Sequence, residues 1–161
     1  MMSEQEIEII NDLLRVKQSK NCLEWGSGNS TMYFPRENSF IKKWLAIEHN
    51  KTYYELLNDK LPVNAEIKVV ESSNKYIRFP LYLDYKFDFI LVDGNFRDEC
   101  MEIAFQVVEK DGIILLHDAF RAGSEKILKR YKGRYKKLSE GEKLLKNGFY
   151  AHRGLISFEN V

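Results

Sequence analysis

The chain has little cysteine and no long apolar run, and each scarcity closes off a class of protein. Only Cys22 and Cys100 occur in 161 residues, in neither CxxC nor CxxH spacing, so a cysteine metal motif is excluded and two ordinary reduced thiols are expected. No apolar stretch reaches the roughly 20 residues that span a bilayer. The start, Met1-Met2-Ser3-Glu4-Gln5-Glu6, is acidic and lacks the basic residues and apolar run of a secretory leader. A cytoplasmic protein without membrane contact is the expectation. Internal repeats, low-complexity tracts and linkers are also missing. At 44% hydrophobic content the chain can bury one substantial core but not two, so residues 1–161 read as a single domain with residues 1–19 as a leading helix.

Charge is nearly balanced overall, at +1, but not along the chain. Residues 121–161 hold eleven basic and four acidic groups, against 14 and 20 in residues 1–120. Arg121, Lys126, Lys129, Arg130, Lys132, Arg134, Lys136 and Lys137 could attract an anionic small molecule or RNA, or simply form a solvated face.

Ser3 and Glu6 have the spacing of a capping box, and Ile7, Ile10, Leu13 and Leu14 then share one helical face, which predicts a helix over 4–17. Short apolar runs follow at 21–25, 44–48, 67–70, 87–92 and 113–117, each reading as a strand buried on both faces. Helical patterns at 30–36, 51–60, 97–110 and 122–132 separate them. That alternation predicts right-handed crossovers and a mostly parallel sheet. Residues 72–86 contain Pro80 and several rings without helical spacing and read as a long loop with at most one turn. Two short pieces at 135–138 and 149–152 read as a terminal antiparallel pair.

In such sheets ligands collect beyond the carboxyl ends of the strands. The first strand runs into Glu24-Trp25-Gly26-Ser27-Gly28-Asn29-Ser30-Thr31. Gly26 and Gly28 permit a tight turn and close backbone approach, and Ser30 or Thr31 can cap the helix that starts there. A dinucleotide would want a third glycine where Thr31 stands, to seat a pyrophosphate at the helix start. The carboxylate of Glu24 would repel that pyrophosphate but suit the cationic amino end of a phosphate-free zwitterion, of which S-adenosylmethionine (SAM) is one. Glu48 follows Glu24 by 24 residues, close to the separation at which an acid reaches a ribose diol. His49 beside it, and Ser72 at the end of the third strand, are further candidates for the cofactor's edge.

Leu23-Glu24-Trp25-Gly26-Ser27-Gly28, Ile47-Glu48-His49 and Leu91-Val92-Asp93-Gly94 together resemble the successive cofactor motifs of class I SAM-dependent methyltransferases, over roughly residues 20–155. The variant E-W-G-S-G-x-S-T with a later I-E-H and H-D is similar to glucuronoxylan O-methyltransferases and bacterial relatives that modify sugars. The resemblance implies an α/β Rossmann-like fold with a seven-stranded sheet of order 3-2-1-4-5-7-6, helices on both faces and an antiparallel final strand. It also implies SAM as cofactor and methyl transfer to a small-molecule or saccharide hydroxyl. The insertions that usually build a substrate lid are missing, which invites a homodimer to cover the crevice.

Methyl transfer needs alignment, and a hydroxyl acceptor must also lose its proton. Candidate bases stand at the ends of the fourth and fifth strands: Asp93, His117 and Asp118. Plainer occupations exist for each: a turn before Gly94, a core histidine and a helix cap. Asp93 and Asp118 could instead hold Mg²⁺, as in the catechol-type O-methyltransferases to which this topology is similar, although Ala119 stands where a third oxygen ligand would be expected. Phe96, Arg97 and Arg121 are expected to line the substrate side, the arginines gripping a carboxylate. Asp93-Gly94-Asn95-Phe96 departs from the N/D-P-P-Y/F sequence of many nitrogen methyltransferases, so an oxygen acceptor is favoured. The alternatives from other classes are an RNA methyltransferase, a non-catalytic SAM-binding partner subunit and an NAD-linked oxidoreductase.

Overall fold

Helical and strand patterns alternate along the chain, and the elements follow them. A computed structural model describes residues 2–120, 124–139 and 154–159. The helix α1 (Glu4–Lys17) begins at the expected capping box: Ser3 Oγ accepts from the Glu6 amide at 3.2 Å while Glu6 Oε2 accepts from the Ser3 amide at 2.9 Å. There follow β1 (Asn21–Trp25), α2 (Asn29–Glu37), β2 (Lys43–Glu48), α3 (Lys51–Leu57), β3 (Ala65–Val69), α4 (Ser73–Arg78), β4 (Phe87–Val92), α5 (Arg97–Val107), β5 (Val108–His117), α6 (Glu125–Arg130), β6 (Tyr135–Ser139) and β7 (Leu155–Glu159).

The seven strands form one sheet of order β3-β2-β1-β4-β5-β7-β6. The pairs β1–β2, β1–β4, β2–β3 and β4–β5 are parallel, whereas β7 runs antiparallel to both its neighbours. Strand side chains alternate between faces. Cys22, Trp44, Phe89, Leu91 and Leu115 share one face with Ile10 and Leu14 of α1 and Phe34 of α2. Leu23, Trp25, Ile47, Ile90 and Leu116 fall on the other, with Tyr76 of α4 and Met101 and Ala104 of α5. Each fully buried Leu, Ile or Phe in these layers contributes about 1.5–3 kcal/mol. No helix among the described residues is long and apolar enough to cross a membrane.

Three expectations need correction. Residues 72–86 are not a loop: they form α4 and a 3-10 turn at Phe79–Tyr82. The six residues of α4 are too few to print a period, and a single side chain, Tyr76, anchors the helix in the core. The helix expected over 97–110 stops at Val107, because Val108 turns extended to pair with Phe87. Residues 109–112 then arch out before Ile113 resumes the register opposite Phe89, with Asp111 at φ 62°. Among the described residues the last strand is Leu155–Glu159, whose Leu155, Ile156 and Phe158 are buried; the strand expected at 149–152 lies outside the described residues. The helix expected over 122–132 covers Glu125–Arg130 among the described residues and ends at the Tyr131 cap.

Candidate functional site

The ends of β1 and β4 meet backbone to backbone. Gly26 has φ 95°, and a Cβ there would lie 3.1 Å from Gly94 Cα; one on Gly94 would lie 2.9 Å from both Gly26 N and Trp25 C. Only glycine fits either place, so the turn after β1 rests directly on the turn after β4. The Asp93 amide donates to Trp25 O at 3.1 Å and the Gly26 amide to Ile47 O at 2.9 Å, completing a floor made of three strand ends.

Around that floor lies a cleft of two lobes that share Gly26, Ser27, Tyr53 and Asp93. The smaller, about 250 Å³, is walled by Glu48, His49, Asn50, Gly94 and Asn95. The larger, about 660 Å³, opens between the start of α1 and α2, with Met2, Ile7, Met32 and Tyr33 among its walls.

Glu48 closes the smaller lobe from below and is almost fully buried. Its Oε2 accepts from the Ser27 amide at 3.0 Å and the Ser27 hydroxyl at 2.8 Å, and its Oε1 accepts from the amides of His49 and Asn50, both at 2.8 Å. The Asn95 amide nitrogen lies 3.0 Å from His49 Nε2, and His49 Nδ1 lies 3.1 Å from Glu48 Oε1. His49 and Asn95 thereby bridge the mouth of the lobe from β2 to β4.

Glu24 lies beneath the glycine turn, held by donors of the chain itself. It borders the larger lobe but is 1% exposed, and its carboxylate accepts from the hydroxyls of Ser30 and Thr31 and from Trp44 Nε1, the last two at 2.7 and 2.8 Å. Burial pushes this acid up to about 7, against the pull of those three hydrogen bonds. Thr31 in turn accepts from the Gly28 amide at 3.0 Å. Glu24, Ser30 and Thr31 therefore brace the glycine turn from beneath, and the donors that satisfy Glu24 belong to the protein.

At the β4 and β5 ends, Asp93, His117 and Asp118 come within 4.8 Å of one another through one ligand atom each. His117 is 2% exposed, with Nδ1 2.8 Å from Asp93 Oδ1 and Nε2 3.4 Å from Glu6 Oε2 of α1. Burial alone would lower its pKa, but the carboxylates of Asp93 and Glu6 outweigh burial and hold it up to about 9. Glu6 mirrors this: burial would raise it, whereas His117 and the Ser3 amide hold it down to about 2. Buried imidazolium and carboxylate form an ion pair that ties the leading helix to β5.

Arg97 is turned inward at the first position of α5, with 7% exposure. Its Nε donates to Gly94 O at 2.9 Å, Nη1 to His117 O at 2.6 Å, and Nη2 to both Asp93 O and Asp93 Oδ1 at 2.8 and 3.0 Å. Nη1 also stands 3.6 Å from Asp118 Oδ2. These donors staple β4 to β5, and the residue also borders the smaller lobe, on which side it was expected to face a substrate. Phe96 precedes it at φ 54°, exposed and edge-on to the Tyr76 ring. Ser72 is exposed ahead of α4 and lines neither lobe. Arg121 lies outside the described residues.

Three participants escaped the sequence reading. Glu6 had already been assigned to a capping box, which it also forms. Tyr53 lines both lobes from α3, and Tyr76 lies buried where only a loop was expected. Trp25 Nε1 donates to the Tyr76 backbone carbonyl at 3.2 Å, a contact between β1 and α4 that no local pattern signals.

No family model matches the chain, and no curated protein matches it. Many solved structures do. An O-methyltransferase of Bacillus cereus solved with S-adenosylhomocysteine (SAH) superposes with a TM-score of 0.77 at 16% identity, covering 100% of this chain and 83% of that one. The O-methyltransferase TomG of Streptomyces achromogenes, involved in tomaymycin synthesis and solved with SAM, gives 0.68 at 12%, covering 100% and 82%. An rRNA methylase of Streptococcus thermophilus gives 0.66 at 14%, covering 100% and 99%. The fold is thus the Rossmann-like fold of class I methyltransferases, in the strand order that the sequence motifs implied.

Proposed function

We propose that the chain binds SAM in the smaller lobe and carries its methyl group to a hydroxyl of a small molecule held in the larger one. The observation that carries this reading is the Glu48 carboxylate buried at the end of β2, against a glycine turn that presses on Gly94. A ribose diol needs such an acid, and a nucleoside without phosphates needs no anion site at the start of α2. Solved relatives in fold that hold SAM or SAH support the same ligand.

In this reading Glu48 and Ser27 hold the ribose, Gly26 and Gly94 let the backbone approach the cofactor, and His49 and Asn95 close the outer edge. SAM supplies a methyl group already activated on a sulfonium, so the protein's contribution is alignment and exclusion of water. The acceptor's proton is a separate matter. His117 is buried and its raised pKa keeps it charged near neutrality, and Asp118 borders neither lobe. Asp93 borders both and its side chain is 26% exposed, which makes it the group placed to accept that proton. An anionic acceptor loses its partner at Arg97, whose guanidinium is committed to Asp93 and three carbonyls. The Met2, Ile7, Met32 and Tyr33 walls favour a molecule with an apolar body and one reactive hydroxyl.

Titration calorimetry with SAH tests the reading. Saturable binding is expected, and Glu48→Ala should weaken it by about 1–3 kcal/mol, the range for hydrogen bonds to a charged group. A chain that takes up neither SAM nor SAH refutes the proposal. A second reading, methylation of RNA, draws on the exposed Lys126, Lys129, Lys132, Lys136 and Lys137 and on the equally short rRNA methylase of the same fold. It requires RNA affinity that falls steeply with salt. Mg²⁺ between Asp93 and Asp118 does not fit the residues present, and no step above uses it.

A further inference from the structure

We infer that Arg97 takes the place of a divalent cation between Asp93 and Asp118, joining the ends of β4 and β5 with a fixed guanidinium in a site that works without a metal ion. Mg²⁺ requires about six oxygens near 2.0–2.1 Å in octahedral array. Apart from the second oxygens of the two carboxylates, the oxygens that the strand ends offer such a shell are Asp93 Oδ1, Asp118 Oδ2 and the carbonyls of Asp93, Gly94 and His117. Every one of them lies 2.6–3.6 Å from a nitrogen of Arg97. All three guanidinium nitrogens are engaged, and the group is 7% exposed, so it cannot swing aside without stranding buried carbonyls. A guanidinium is also charged at every working pH, which makes the replacement permanent and not conditional.

Neighbouring residues agree. The third member of the trio, His117, turns its Nδ1 to Asp93 at 2.8 Å, and its other nitrogen faces Glu6. Ala119, next in the chain after Asp118, offers no side-chain oxygen. Asp118 itself holds φ 53°, a left-handed conformation that costs a non-glycine residue and that directs its carboxylate toward Arg97. The consequence for methyl transfer rests on the reading above: Arg97 acts as a positioning residue, fixing one oxygen of Asp93 while the rest of the carboxylate faces the cleft.

The test is Mn²⁺ binding to the full chain, followed by electron paramagnetic resonance, with melting temperature read in parallel and SAH titrated separately. The wild type should show no saturable Mn²⁺ site below about 1 mM and no melting shift between EDTA and Mg²⁺. Arg97→Ala should melt lower, gain Mn²⁺ affinity by at least about tenfold and recover part of the lost melting temperature as Mn²⁺ is added. Adding Asp118→Asn should abolish that gain. A purely structural arginine would produce the lower melting point without the gain. A stoichiometric wild-type site lost in Asp118→Asn overturns the inference, as does a folded Arg97→Ala chain indifferent to Mn²⁺. If Arg97→Ala does not fold, Arg97→Gln and the wild-type titration decide. Failure of SAH to bind would refute methyl transfer and leave the arginine's placement untouched.

Discussion

The two sides of the cleft carry their buried charge by opposite means. On the β1–β2 side Glu24 and Glu48 are met by hydroxyls, amides and an indole, with the His49 ring also beside Glu48. On the β4–β5 side Asp93, Asp118 and Glu6 are met by a guanidinium and an imidazolium. The donors to Glu24 are neutral, and burial outweighs their pull to hold the acid up to about 7. Cationic partners do the reverse, and Glu6 falls to about 2. The first arrangement borders the cleft, the second joins the ends of β4 and β5 to the leading helix.

The sharpest way to break this contrast is to remove one ion of the second side. His117→Asn should cost about 3–5 kcal/mol at pH 6 in urea unfolding, the range for stripping one partner from a buried ion pair. A cost near that of a surface substitution would mean that Glu6 and Asp93 do not depend on the imidazolium. The same pair sets an alkaline limit for the wild type. The folded-state pKa of His117, about 9, lies above its ordinary 6.5, so its stabilisation is complete below pH 6.5 and lost as pH rises through 9. About 3 kcal/mol should disappear over that window, and the variant should lack the decline.

The first side predicts a slope in a different window. Glu24 binds its proton more tightly folded than unfolded, so stability should fall as pH rises from 4.5 toward 7. Between pH 5 and 6.5 this amounts to about 2 kcal/mol, and Glu24→Gln should flatten it, as guanidinium unfolding at several pH values would reveal. An unchanged slope would assign it to another group. The smallest effect should come from Thr31→Val, which keeps shape but removes the hydroxyl between Gly28 and Glu24. A loss of about 1–2 kcal/mol in melting experiments is expected. No loss would mean that water can stand in for the hydroxyl.

What could be read beforehand follows the same division. The sheet order came from motif succession and the β1 turn from Gly26 and Gly28, both local in sequence. Glu48 was legible because strand spacing fixes where an acid ends up. The β4–β5 joint was not: Arg97 follows Asp93 by four residues, and His117 meets Glu6 from more than a hundred residues away. Nothing in a linear pattern distinguishes an arginine that starts a helix in solvent from one that turns inward. The partners of Glu24 were illegible for a related reason: Trp44 and Thr31 reach it only once two strands and a helix are assembled.

The position of β7 bears on how the chain is made. Among the described residues β6 pairs with β7 alone, and β7 lies between it and β5. During synthesis β6 emerges before the strand that attaches it, and the edge of β5 stays open until residue 155 leaves the ribosome. Through that interval the nascent chain presents a bare hydrogen-bonding edge next to buried apolar positions, the kind of template that recruits other chains. Interrupted translation, more than any substitution in the cleft, is therefore where aggregation of this protein should begin.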